Sequence, residues 1–121
     1  MNEVHVIFPR TGGTYVHEDP ELVMQGGYVY WHFHSENPGI KKVRITFQEQ
    51  TSVFFPNKPS EKYWCERALV DGNMIWGKAP SYFPPSGPLG SRLDKYTIQA
   101  LDASGNEVIP ALDPGIRIDG P

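Results

Sequence analysis

His32 and His34 stand two apart in the stretch YVYWHFHSENPGIKK, residues 28–42. If this stretch is extended, both rings project from one face, with their Cα atoms about 6–7 Å apart. That spacing lets two imidazoles share a metal ion, but a stable site needs a third and usually a fourth ligand. His5, His17 and Glu36 can supply one only if folding brings them near. The competing reading is two surface histidines on the wet side of a strand, beside Tyr30, because a lone H-x-H is a weak motif. Cys65, the only cysteine, has Lys62 and Arg67 close in sequence but no histidine after it. A nucleophilic thiolate needs a base or a strong local field, so a half-buried structural cysteine is the simpler reading. The chain has no G-x-S-x-G elbow, H-E-x-x-H, phosphate-binding glycine loop or C-x-x-C. Its carboxylates are scattered. A small enzyme would therefore have to work without a recognisable motif.

The elements that must position these residues read as short strands. In EVHVIF, Val4, Val6 and Phe8 share one face, and Glu3, His5 and Ile7 the other. TYVHE and ELVMQ are further short strands, the second ended by Gly26-Gly27. Val29, Trp31 and Phe33 oppose Tyr28, Tyr30, His32 and His34. KKVRITFQ alternates most cleanly, with Val43, Ile45 and Phe47 inward and Lys42, Arg44, Thr46 and Gln48 outward. DKYTIQALD places Tyr96, Ile98 and Ala100 together, and IRID does the same for Ile116 and Ile118. One stretch, PSEKYWCERALVDG, predicts a short helix: Ser60 can cap it, Glu61 suits its first turn and Gly72 can end it.

The 121 residues fit a single domain, 1–121, large enough to bury a core without staples. With 39% hydrophobic and 12% aromatic residues, the chain is too apolar for disorder, and its 12 prolines and 12 glycines are spread along it as turns. A net charge of −3, from 11 basic and 14 acidic residues, argues against a nucleic-acid or anionic-membrane surface. No stretch is long and apolar enough to read as a signal peptide or a membrane span. With a single cysteine, this gives a cytoplasmic expectation.

PELVMQGGYVYWHF resembles the cupredoxin pattern of a proline, an apolar strand, a glycine turn and a strand with a tryptophan. KKVRITFQE is similar to the next cupredoxin strand, and DKYTIQALDASGNEV with LDPGIRID resembles a closing hairpin. The resemblance covers most of the chain from Pro20 onward. It implies an all-β, cupredoxin-like Greek-key β-sandwich with one short helix; an immunoglobulin-like sandwich would leave a similar trace. Fold does not carry function. A blue-copper site needs two histidines, a cysteine and usually an axial methionine. The place of the first histidine holds Lys41, Lys42 and Val43, and the late ligand segment reads IQALDASGNEVI, without Cys, His or Met. The resemblance therefore implies the sandwich without its copper centre, and no cofactor.

The segment from Met74 to Pro88 sets Trp76, Tyr82 and Phe83 among prolines and glycines, and Phe54 and Phe55 lie in a second aromatic-proline segment. Such groups either fold back to cap the core or form a recognition patch, for which aromatics are favoured. The function expected first is a non-catalytic binding module, a small subunit of a larger assembly, meeting a protein partner or a second copy through Trp76, Tyr82, Phe83, Phe54 and Phe55. The alternative is a metal-binding protein using His32 and His34.

Overall fold

Period-two alternation dominates this chain, and the regular elements of its described residues are strands. The structure is a computed structural model that describes residues 2–48, 52–70, 74–82 and 90–120. Among the described residues nine strands run in order: β1 (Asn2–Phe8), β2 (Tyr15–Val16), β3 (Glu21–Met24), β4 (Tyr28–Ser35), β5 (Lys42–Phe47), β6 (Trp64–Ala68), β7 (Met74–Lys78), β8 (Ser91–Leu101) and β9 (Gly115–Asp119). They form two mixed sheets, a four-stranded one ordered β2-β1-β4-β7 and a five-stranded one ordered β3-β9-β8-β5-β6. The β1–β4 and β3–β9 pairs are parallel and the others antiparallel. No helix of the described residues is long and apolar enough to cross a membrane.

The helix expected over residues 60–72 does not form; the described part of that stretch holds strand β6 instead. Glu61 sits in the left-handed region at φ 51°, which breaks a helical start. The sequence WCERA also alternates, and Cys65 turns inward opposite Ile45. β5 pairs β8 on one side, so β6 satisfies the backbone groups on its other side. Arg44 of β5 and Lys58 lie 4.3 Å and 3.2 Å from the centroid of the Trp64 ring, which holds β6 against its neighbours.

One hydrophobic cluster lies between the sheets. Val4, Val6, Phe8, Val29, Trp31 and Ile75 come from the four-stranded sheet, and Val43, Ile45, Phe47, Tyr96, Ile98, Ile116 and Ile118 from the other. Trp31 is fully buried and donates its indole N–H to the Tyr96 hydroxyl at 3.2 Å. Around it stand Phe47, Phe54, Phe55 and Tyr96 at centroid distances of 5.8–6.5 Å. Gly77 of β7 is needed for this packing, because a Cβ there would lie 2.5 Å from the carbonyl oxygen of Phe54. With one face of each strand buried, Glu3, His5, Tyr30, His32 and His34 point away from the core, on the outer face of the four-stranded sheet.

Candidate functional site: an imidazole face

All four histidines of the chain converge on this outer face. β1 and β4 run parallel, with His5 directly beside His32 and Ile7 beside His34. His17 follows β2, and its amide donates to the His5 carbonyl at 3.2 Å. On the far side, His32 is paired with Met74 of β7. A single row across the sheet thus reads His17, His5, His32, Met74.

The rings make contact along and across this row. His5 lies between His32 and His34, with both centroid distances 5.1 Å and interplanar angles of 20° and 22°. His5 Nδ1 and His34 Nε2 are 2.8 Å apart, a hydrogen bond whose donor is set by the tautomers. His32 Nε2 meets Glu3 Oε1 at 3.2 Å. His17 stands edge-on to His5 at 6.5 Å and beside Tyr15 at 6.3 Å. These groups are exposed or half-buried. At the end of β4, next to His34, opens a groove of about 480 Å³ whose lining includes Asn37, Ile40, Lys41, Leu69 and Val70.

His32 and His34 do project from one face, and folding brings His5 to both of them and His17 to His5. The carboxylate that reaches the group is that of Glu3, bonded to His32. The closest ring-nitrogen contact is nevertheless His5 with His34, not His32 with His34. His5 and Glu3 were legible as outward residues of an alternating strand; their nearness to residues 32 and 34 was not.

The aromatic set disperses. Phe54 and Phe55 are 0% and 4% exposed. Phe54 stacks on Phe47 at 3.9 Å with the rings 7° from parallel, so these two belong to the core and cannot form a surface patch. Their aromatic-proline segment is irregular, and burying its two phenylalanines stabilises the chain by several kcal/mol, about 1.5–3 each. Trp76 is outward on β7, 6.0 Å from Tyr28. Phe83 lies outside the described residues. Tyr82 turns inward to a polar lock. Its hydroxyl donates to Asp94 Oδ2 at 2.7 Å and lies 3.2 Å from Ser52 Oγ, while Ser52 also donates to Oδ2 at 2.8 Å. Arg92 Nε donates to Asp94 Oδ1 at 2.9 Å, and its guanidinium lies 4.0 Å from the centroid of the Tyr82 ring. Burial first, then the hydrogen bond to Asp94, push the Tyr82 hydroxyl up to about 12, although the bond to Ser52 pulls the other way.

Cys65 is buried beside Lys58, Arg67 and Trp76, next to a hollow of about 180 Å³. Burial pushes its thiol up, against the smaller pull of Arg67 and Lys58. This is the opposite of what a nucleophilic cysteine needs. Among the described residues, no three His, Cys, Asp or Glu side chains already form a group able to hold a metal ion. Comparison with protein-family models finds no match, and comparison with curated proteins finds none.

Proposed function

We propose that the chain is a non-catalytic binding module on a cupredoxin-like Greek-key sandwich without a blue-copper centre, and that it binds through the outer face of its four-stranded sheet. The resemblance to cupredoxins is supported by a chain that passes repeatedly between two sheets, with β2 and β3 on opposite sides and parallel pairs at β1–β4 and β3–β9. The observation that carries the binding reading is the gathering of every histidine onto one exposed face. The core does not require them: their neighbours in sequence, Val4, Val6 and Trp31, do the packing. A solvated sheet face is satisfied by any polar residue, and an imidazole–imidazole contact in water contributes little to stability.

The same face holds Trp76, the exposed member of the aromatic set among the described residues, because Tyr30 pairs with Trp76 and Tyr28 with Lys78. A protein partner or second copy would therefore meet this face rather than the loop end. The test is a thermal melt of the double variant His5→Gln, His34→Gln. A binding role leaves the melting temperature within about 2 °C of the parent, since exposed polar changes are near neutral. A drop of 5 °C or more makes the histidine ladder a structural element and removes the support for a binding face.

A further inference from the structure

We infer that the groove at the end of β4 is a site for a small organic acid, with its carboxylate held by Lys41 and Asn37 and its apolar body against Ile40, Leu69 and Val70. The site adjoins the outer face at His34 and goes beyond the docking read there. Charge selects an anion. The chain carries 14 acidic residues against 11 basic ones. Yet the described lining of the groove holds Lys41, His32 and His34 and no Asp or Glu. Glu36 lies in the adjoining loop but outside the lining, and Glu3 is bonded to His32. Lys41 is the one fixed positive charge of the lining, which a carboxylate matches and a dianion exceeds.

Hydrogen-bond accounting leads to the same ligand, because the loop after β4 spends its own acceptors. Ser35 Oγ accepts the Asn37 N–H and donates to the Asn37 carbonyl, both at 3.2 Å. That carbonyl also accepts the Ile40 N–H at 3.3 Å. Asn37 Oδ1 accepts the Gly39 N–H at 2.9 Å, which fixes the amide and turns Nδ2 away from Gly39. The Lys41 backbone is spent too: its N–H donates to the Leu101 carbonyl and its carbonyl accepts the Leu69 N–H, each at 2.8 Å. Among the described residues, no acceptor is bonded to Asn37 Nδ2 or Lys41 Nζ. The lining therefore offers donors, and a carboxylate accepts from them in charge-assisted bonds. The tautomer in which His5 Nδ1 donates to His34 Nε2 gives His34 a further donor at Nδ1. Size supplies the rest of the ligand. The groove's volume of about 480 Å³ lies in the range of small-molecule sites and leaves room for a body behind the head group. Val70 stands 58% exposed on its wall, apolar surface that a bound chain would remove from water. The Leu69–Lys41 backbone bond ties this wall to the cation, so little ordering is needed on binding.

The experiment titrates the isotope-labelled full chain with hexanoate and follows its amide resonances. Saturable shifts are expected at Asn37, Gly39, Lys41, Leu69 and Val70, with a Kd of about 1 mM or tighter, as a ligand of this size allows. Acetate has the head without the body and hexanamide the body without the charge; each should bind at least about tenfold more weakly. Lys41→Gln should weaken hexanoate at least about tenfold, the worth of a bond to a charged group. Asn37→Asp keeps an oxygen for the Gly39 N–H but sets a negative charge where Nδ2 donates. It should melt like the parent and lose hexanoate by at least about tenfold. Should Asn37→Asp melt early, Lys41→Glu decides in its place, since Lys41 is exposed. The inference is overturned if no saturable shift appears by about 20 mM hexanoate, well above the expected Kd. It is equally overturned if acetate or hexanamide binds as tightly as hexanoate, if hexyl phosphate binds more tightly, or if a variant that melts like the parent also binds like it.

Discussion

Tyr82→Phe deletes a single oxygen, and that oxygen decides whether Tyr82 is a recognition residue or an anchor. Asp94 and Ser52 are both 0% exposed. The Asp94 carboxylate is held by three donors: Ser52 at 2.8 Å, Tyr82 at 2.7 Å and Arg92 at 2.9 Å. A buried carboxylate depends on such donors, and a hydrogen bond to a charged group contributes about 1.5–3 kcal/mol. Tyr82 itself is half-buried, so water can partly replace its hydroxyl, which brings the loss down to about 1–2 kcal/mol, around the bottom of that range. For a chain of this size that is a fall of about 3–10 °C in melting temperature. Ser52→Ala removes the second donor to the same oxygen. The two variants should therefore couple by about 0.5 kcal/mol or more in a double-mutant cycle, since partners sharing one acceptor are not independent.

The lock also predicts behaviour in alkali. The Tyr82 hydroxyl titrates near 12 in the fold, above its ordinary value of 10. The neutral phenol is thus favoured by folding, so its contribution is fully present below pH 10 and is lost as pH rises from 10 toward 12. Chemical denaturation across that window should show a shallower decline in Tyr82→Phe than in the parent. The assay set is thermal and urea melts at neutral pH and between pH 10 and 12, with light scattering after size exclusion. A variant that melts like the parent but has lost self-association would refute the anchor and restore Tyr82 to a binding surface.

Trp31→Ala should destabilise by about 3–5 kcal/mol, because it empties the centre of the aromatic cluster and strands the Tyr96 hydroxyl; urea melts measure this, and a midpoint near the parent's would mean that the faces of β4 are reversed. Cys65 should resist a thiol reagent at neutral pH while folded and react fully in urea, since it is buried and its thiol is held protonated; rapid stoichiometric labelling of the folded chain would contradict that environment.

What was legible in the sequence was the facing of residues. KVRITF buries Val43, Ile45 and Phe47, and NEVHVIF buries Val4, Val6 and Phe8, as two-residue periodicity requires. The stretch around Cys65 misled because Ser60 and Gly72 are good helix punctuation, while five alternating residues are too few to outweigh them; the open edge of β5 settled it, and that edge is a property of the sheet. Phe54 and Phe55 misled because prolines flank a segment that must still fill space beside Trp31.

The imidazole face shows where such reading stops. Slipping β1 by one residue against β4 would turn His5 into the core and Val4 and Val6 into water, so alternation and burial forbid it. A slip of two residues keeps every face intact and would set His5 beside Tyr30 or His34 rather than His32. Nothing in either strand's pattern distinguishes these registers, since all preserve the buried row. The His5–His34 contact spans 29 residues, and in the observed parallel register it runs diagonally, with His5 paired to His32 and bonded to the ring two residues further along β4. Chemistry that depends on which outward residue meets which is therefore fixed by the pairing of strands, and the sequence alone could nominate the histidines without joining them.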